Sequence, residues 1–230
     1  MTTSDTFQFN PAIGTLTLNA FARCGVRRTE LTPQHMSDAY LECNFLQADW
    51  ASDGILWWSV ERVDQPLTAG APTYGVPTNT IMVLDLYISP GGGSSSGQNR
   101  LITPFSRTDY ASLANPSQQG FPTSFWFDRA LTPTITLWPV PDNATTYSMS
   151  YYVYTQLDDA NLRAGGTAAI PYWWLNAYTA DLAHRLSRIY APALEAARKA
   201  DRDEAYMRAC KQNEPSPLYI SPGLSGYYRS

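Results

Sequence analysis

An alternating run of residues between positions 124 and 157 constrains the fold more than any other part of the chain. Residues 134–137 read Thr, Ile, Thr and Leu, a pattern typical of a strand in a sheet with one solvated face. Residues 139–143 follow with two prolines, Asp and Asn, which favour a turn. A Tyr-rich alternating segment comes next. The run therefore predicts three strands, at about 124–128, 133–138 and 145–157.

The remaining elements are predicted from helix and strand signals along the chain. Residues 55–60 and 81–88 are expected to be strands, and the apolar run 81–88 is expected to be buried on both faces. One helix is predicted at 15–24, capped by Thr15. A second runs from Pro33 to about Trp50, with Thr32 as N-cap. Residues 171–210 predict a long helix, broken at Ala191 because proline follows it.

Together these segments predict an α+β fold that is mainly helical. A helical bundle made of residues 10–52 and 171–212 forms the body. A small antiparallel β-sheet is inserted at 55–160, with a flexible Gly/Ser loop at 90–99. We expect one domain over residues 1–214 and an extended arm over 215–230.

The arm is expected to dock on a partner. Its prolines exclude a helix, yet it carries more large apolar and aromatic residues than a disordered tail would hold. The candidate docking residues are Leu218, Tyr219, Ile220, Leu224, Tyr227, Tyr228 and Arg229.

Composition indicates that part of the surface serves protein contact. Charged residues make up only 16% of the chain, whereas aromatics reach 13% with fifteen Tyr and seven Trp. Tyr and Trp are enriched where subunits meet, so we expect interfaces in addition to a core. Candidate subunit-interface or basic contacts are Arg23, Arg27, Arg28, Trp173 and Trp174.

Charge and cysteine content bear on which partners and which cellular compartment the protein has. The net charge of −4 argues against a basic footprint for gripping nucleic acid. Three cysteines without close spacing suit a reducing compartment better than a disulfide framework. The sequence shows neither a signal peptide nor a long apolar span, so we expect synthesis in the cytoplasm and no membrane contact.

Candidate catalytic groups are sparse. Asp181, His184 and Ser187 share a helix face at a spacing of three residues, which superficially suggests a triad. Side chains three apart on one helix lie alongside one another, and a regular helix surface offers no oxyanion pocket. We therefore expect no catalytic residues and no cofactor.

A metal site is not expected either. Cys24, His35 and Cys43 lack the close pair spacing that makes a zinc prediction strong. Buried, reduced cysteines explain the pattern better.

In order along the chain, several segments resemble the head–tail adaptor proteins of short-tailed bacteriophages, the family of head-completion and tail tubular connectors. The Trp-Pro-x-Pro turn after an alternating strand, followed by a Tyr-rich strand and a proline-initiated helix, is the most specific part. The resemblance covers residues 10–212. The matching segments are Val76-Pro77 to Ile88, Ile102-Thr103-Pro104-Phe105 with Asp109-Tyr110, Gly120-Phe121-Pro122, Leu137 to Asp142, and Ile170-Pro171 leading into Trp173–Ala191.

The resemblance implies a structural virion protein without enzymatic activity, located at the head–tail junction. It implies a homo-oligomeric ring, with twelve copies expected, that binds below the portal protein after DNA packaging. The ring would extend the DNA channel, let DNA pass without specific binding, and carry the tail or nozzle protein. Residues 215–230 would reach toward the portal.

Two alternatives from other classes stay open at this point. One is a tail-associated peptidoglycan hydrolase, which would need acids such as Asp85, Asp158 and Asp159 in a cleft. The other is a glycan-binding module, suggested by the pairs Trp57-Trp58 and Trp173-Trp174.

Overall fold

The computed structural model describes residues 9–56, 58–91, 99–162 and 166–213, without the side chains of the last two positions. These residues form five α-helices, three short 3-10 helices and ten strands. The α-helices are α1 (Ile13–Arg23), α2 (Pro33–Ser52), α3 (Arg107–Ala111), α4 (Leu175–Tyr190) and α5 (Glu195–Asn213). The strands are β1 (Val60–Pro66), β2 (Thr73–Gly75), β3 (Thr80–Pro90), β4 (Arg100–Leu101), β5 (Thr103–Pro104), β6 (Gln119–Gly120), β7 (Ser124–Asp128), β8 (Thr134–Trp138), β9 (Val140–Pro141) and β10 (Tyr147–Thr155).

The fold is α+β, and the prediction of a mainly helical bundle with one small inserted sheet was wrong. The described strands form three sheets rather than one. Five of the ten strands have only two or three residues, too few for an alternation of polar and apolar residues to show. These short strands exist because of long-range pairing, which local sequence patterns do not report.

Two compact units divide the chain: Met1–Glu42 with Asn161–Ser230, and Cys43–Ala160. The first contains α1, α4, α5 and the beginning of α2, and the second contains all ten strands. The arm 215–230 and most of the loop 90–99 lie outside the described residues. The division into one domain and an arm stays a prediction.

The sheets of the second unit combine antiparallel and parallel pairs. In the first sheet the order is β1-β10-β3-β4, and its pairs are antiparallel. The second sheet has the order β2-β8-β7-β5, and β5 runs parallel to β7. The third sheet is the parallel pair β6-β9. The expectation of purely antiparallel strands was therefore also wrong.

One hydrophobic core joins the first two sheets. Side chains of β3 and β10 on one sheet and of β7 and β8 on the other belong to the same buried cluster. Burial of this apolar area is the main stabilising contribution to the unit. The fully buried members are Leu86, Ile88, Ile135, Leu137, Met149, Tyr151 and Val153.

The predicted turn before the Tyr-rich strand is confirmed, and one side chain organises it. The Asp142 Oδ1 atom accepts hydrogen bonds from the Ala144 N–H at 3.1 Å and the Tyr147 hydroxyl at 2.9 Å. An Asp that accepts from the backbone two residues ahead forms an Asx turn. The same carboxylate thereby satisfies the first buried tyrosine of β10.

Two of the predicted strands differ from the structure. The strand expected at 55–60 is wrong, because Ile55 and Leu56 precede β1 as buried, non-strand residues. The run 81–88 is a strand, but Met82 and Leu84 are exposed, so its burial on both faces was also wrong. A register shift between Leu86 and Val83 places Leu84 and Asp85 together opposite Tyr152, on the outer face.

Helix α1 ends as predicted but begins earlier. Its N-cap is Ala12, without a side-chain cap, so Thr15 lies inside the first turn and does not cap it. At the other end Gly25 has φ 83°, the Gly25 N–H bonds the Ala22 carbonyl, and the Val26 N–H bonds the Phe21 carbonyl. This pair of hydrogen bonds is the Schellman arrangement, which favours glycine at that position.

The predicted start of α2 and the break between α4 and α5 are confirmed. Thr32 accepts from the Met36 N–H through its carbonyl, and Pro33 takes the first helical position. Helix α4 ends at Tyr190, Ala191 leaves helical geometry at φ −146° and ψ 62°, and α5 follows a short 3-10 turn. Proline at position 192 favours this change because it disfavours helical geometry in the residue before it.

Two leucines of the second unit provide a matched test of this core. Leu137 is 0% exposed and Leu131 is 100% exposed. We expect Leu137→Ala to lower the free energy of unfolding by about 2–5 kcal/mol, since it removes buried methyl groups and leaves a cavity. Leu131→Ala changes that free energy by less than about 0.5 kcal/mol. Urea unfolding followed by tryptophan fluorescence measures both, and equal effects would contradict the assigned core.

Candidate interaction surfaces

Two exposed rings of the first unit, Phe9 and Tyr172, are in contact, and the exposed Trp173 follows Tyr172 in the chain. We call these three residues the aromatic patch. They are 67%, 68% and 50% exposed. The Phe9 and Tyr172 rings meet edge to face, with centroids 6.1 Å apart. Clustered exposed rings are typical of contact sites, because each offers a large apolar area and loses little conformational entropy on binding.

A short 3-10 turn creates the patch. The Trp174 N–H donates to the Pro171 carbonyl at 2.9 Å and closes the turn Tyr172–Trp174 before α4. Trp174 is fully buried, and its ring lies edge-on to that of Tyr206 on α5, with centroids 5.8 Å apart. The two tryptophans of the pair therefore have different surroundings: Trp174 packs inside the unit and Trp173 is exposed. Such a pair does not offer two exposed rings for stacking on a sugar.

A second apolar surface belongs to the second unit; we call it the sheet face. Cross-strand register brings its residues to the outer side of the first sheet, away from the core residues of β3 and β10. Each member is more than a third exposed. The members are Val60, Met82, Leu84, Leu101 and Tyr152. An apolar outer face on a sheet is typical of a surface that another protein covers.

One charged pair lies on the same side of that sheet. Arg62 donates to Asp64 at 2.9 Å and to the Ser150 hydroxyl at 3.3 Å. Hydrogen bonding from Ser150, followed by that from Arg62, lowers the pKa of Asp64 below its usual value. Because both side chains are exposed, the pair contributes little to stability.

The three arginines predicted as basic contacts differ in exposure: one is partly buried and two are exposed. Arg23 donates to Asn19 at 3.0 Å and to Asn176, in the first turn of α4, at 3.1 Å. Burial lowers the pKa of this guanidinium. Arg27 and Arg28 are exposed beyond the end of α1. A role of these three arginines in partner contact stays a prediction, as it does for Trp173 and Trp174.

His184 is a buried histidine surrounded by charges, not part of a triad. The Ser187 hydroxyl donates to the His184 backbone carbonyl at 2.7 Å instead of to the imidazole. His184 Nε2 lies 3.5 Å from Arg188 Nη2 and 3.9 Å from Glu195 Oε1. Burial, then the positive charges of Arg188 and Arg202, lower the pKa of His184, while Asp181 and Glu195 act in the opposite direction.

Sequence reasoning missed a cluster that joins α1, α2 and α4. The Tyr190 hydroxyl donates to Asp38 Oδ2, and the Tyr190 ring stacks on His35 with centroids 4.4 Å apart. Phe21 packs against both rings. Burial, then the hydrogen bond to Asp38 and its negative charge, raise the pKa of Tyr190 to about 12. The Thr32 hydroxyl lies 2.6 Å from His35 Nδ1, and these two residues are three positions apart in the sequence. The contacts of Tyr190 join residues that are far apart in the sequence, so no local pattern indicates them.

The residues considered for zinc have other partners. The Cys24 thiol donates to the Ala183 carbonyl at 3.2 Å, and burial raises its pKa. His35 belongs to the cluster with Tyr190. Over residues 9–56, 58–91, 99–162 and 166–213, no group of three or more His, Cys, Asp or Glu side chains could hold a metal ion.

Both units expose apolar and aromatic side chains. Surfaces of this kind are typical of proteins that bind other proteins. A sequence model of the family described as "SU10 adaptor protein" matches residues 6–219, so the chain belongs to this family of bacteriophage structural proteins. The resemblance to phage head–tail adaptors is thereby confirmed. No curated protein matches the chain.

Among the described helices, none combines the length and the hydropathy needed to cross a membrane.

The pH dependence of stability tests the environment of His184, which is 1% exposed. Its pKa in the folded chain lies below the unfolded value near 6.5, so the unfolded chain binds the proton more readily. Stability is therefore fully present above about pH 6.5 and falls below it, by at most about 1.4 kcal/mol per pH unit. His184→Gln removes this slope. Leu182→Val, a buried neighbour that does not titrate, lowers stability at every pH and keeps the slope. Parallel urea titrations from pH 5 to pH 8 measure both, and an unchanged slope in His184→Gln would contradict the assignment.

A double-mutant cycle tests the Tyr190–Asp38 hydrogen bond. We expect Tyr190→Phe and Asp38→Ala to show a coupling of about 1 kcal/mol in the free energy of unfolding, because the first removes the donor and the second the acceptor of the same charge-assisted bond. Asp53, fifteen residues further along the sequence at the end of α2, provides the control. Tyr190→Phe with Asp53→Ala should give additive changes. Additivity in both cycles would mean that the bond contributes nothing.

Proposed function

We propose that the chain is the subunit of a head–tail adaptor ring, which binds below the portal protein after DNA packaging, extends the DNA channel and provides the platform to which the tail attaches. The match of residues 6–219 to a phage adaptor family is the observation that carries this proposal.

Two different apolar surfaces support assembly into a ring. A ring forms from head-to-tail contacts, in which one surface of each copy meets a different surface of the next. The aromatic patch belongs to the first unit and the sheet face to the second, so each copy offers two chemically distinct surfaces. The named members of both surfaces are uncharged, although the Arg62–Asp64 pair lies beside the sheet face, and apolar contacts persist at high salt.

The acidic character of the chain supports passage of DNA. With 20 acidic and 16 basic residues, the chain has no excess of positive charge with which to neutralise a run of phosphates. Binding through counterion release requires many such contacts. A ring of this chain would therefore enclose DNA without holding it.

The C-terminal arm is proposed to dock on the portal. Its residues Leu218, Tyr219, Ile220, Leu224, Tyr227, Tyr228 and Arg229 lie outside the described residues, so this role comes from the sequence. Large apolar side chains separated by prolines are suited to an extended segment that fills pockets on a partner.

Native mass spectrometry of the purified chain, alone and mixed with the portal of its own phage, tests the proposal. We expect a closed ring of about twelve copies on the portal, the number that the resemblance to head–tail adaptors implies. Deleting residues 215–230 should leave a folded chain that no longer joins the portal.

Leu131→Ser, at the fully exposed position, is the control and should assemble like the unaltered chain. A chain that ignores the portal would overturn the adaptor ring. Normal assembly of the truncated chain would overturn only the role of the arm.

A further inference from the structure

We propose that in the lone chain the C-terminal segment 215–230 packs on the aromatic patch of its own first unit. This segment is then the binding partner of the patch, which consists of Phe9, Tyr172 and Trp173. This inference concerns the unassembled chain and holds whether or not the chain joins a portal.

The patch is the kind of surface that an apolar segment covers. Its three rings are each at least half exposed, and Phe9 and Tyr172 already touch. The sequence around it carries no charge from Gly166 to Ala180. Leaving such a group of rings in water is unfavourable, and covering it contributes roughly 25 cal/mol per Å² of apolar area.

Helix α5 delivers the segment close to the patch. Helices α4 and α5 form a hairpin, in which Arg188 pairs with Glu195 near the turn and Trp174 touches Tyr206 at the other end. Tyr206 therefore lies beside the turn that carries Tyr172 and Trp173. Asn213, the last described residue, is seven positions further along α5, about 10 Å by the helical rise.

The length of the remaining chain is sufficient for an intramolecular contact. Leu218, Tyr219 and Ile220 follow Asn213 by five to seven residues. An extended chain spans up to about 3.5 Å per residue, so these side chains reach about 17–25 Å from the end of α5. Pro215 and Pro217 lie between them and α5, and proline disfavours continuation of the helix away from the patch.

The chemistry of the segment matches the patch. No charged residue occurs from Pro215 to Tyr228, so no charge has to be desolvated on either side. Tyr219 brings a ring to three exposed rings, and edge-to-face aromatic pairs are favourable beyond their buried area. The N-terminal segment 1–8 is a poorer occupant, because Phe7 is its only aromatic residue.

Tethering favours the chain's own segment over a second copy. A short covalent tether gives an effective concentration of about a millimolar, far above the micromolar concentration of separate chains in solution. The patch is therefore covered within one chain before copies meet. If residues 215–230 also dock on a partner, they must leave the patch to do so, and partner binding uncovers an apolar surface on the subunit.

Photo-crosslinking of the full-length chain tests this contact. The photoreactive residue p-benzoylphenylalanine replaces Tyr219, and the crosslinked peptides are identified by mass spectrometry at low micromolar concentration. We expect crosslinks to Phe9, Tyr172 or Trp173. Mixing chains of natural and ¹⁵N isotopic composition distinguishes contacts within a chain, which pair only like isotopes, from contacts between chains.

Crosslinks of mixed isotopic composition, crosslinks only to other parts of the chain, or no crosslinks would each overturn the inference. A variant of the patch itself provides the second measurement. In Tyr172→Ser with Trp173→Ser, cleavage of the segment by chymotrypsin should accelerate about tenfold, which corresponds to a loss of about 1.4 kcal/mol.

Leu131→Ser is the matched control for this variant, since it removes a large exposed side chain from the second unit. It should leave the cleavage rate of the segment unchanged. Equal rates in the patch variant and the control would contradict docking on the patch.

Discussion

Strand β10 is hydrogen-bonded on both sides, to β1 and to β3, and the rest of the second unit depends on that double pairing. The strand carries tyrosines whose rings enter or border the core, and each buried hydroxyl must find a partner there. Tyr147 donates to Asp142, Tyr151 donates to Gln65, and Tyr154 accepts from the Leu56 N–H. These partners come from the turn before β10, from β1 and from the segment that precedes β1. The hydroxyls thus fix three separate parts of the chain around one strand.

Local signals in the sequence were sufficient where neighbouring residues decide the backbone. Four predicted features depend on residues no more than five positions apart, and the structure has each of them. They are the helix start at Thr32 and Pro33, the helix end at Gly25, the break before Pro192 and the turn at 139–143. The predicted role of Trp173 and Trp174 in subunit contact stays a prediction, but the structure shows how each ring is placed. Spacing distinguishes the two rings, because Trp174 begins an apolar stripe at four-residue intervals and Trp173 lies off it. The members of that stripe up to residue 186 are fully buried: Trp174, Tyr178, Leu182 and Leu186.

Long-range pairing explains what the sequence did not reveal. Strand β2 lies in a segment rich in glycine and proline and exists because Thr73–Gly75 pairs with β8, some sixty residues later. The outward position of Leu84 follows from a register shift that no alternation pattern shows. The Asp38–Tyr190 bond joins residues 152 positions apart. The sequence shows which residue types both candidate surfaces contain, but only the structure shows that these residues are exposed together.

The edges of the first sheet have a consequence for how other chains can bind to it. Strand β1 forms one edge; it carries Glu61, Arg62 and Asp64 within seven residues and ends at Pro66. The opposite edge, β4, is only two residues long. Charges, a terminal proline and a short edge all discourage another chain from adding a strand. These two edges therefore disfavour open-ended β-aggregation, and they leave the side-chain face of the sheet as the surface on which another protein can bind.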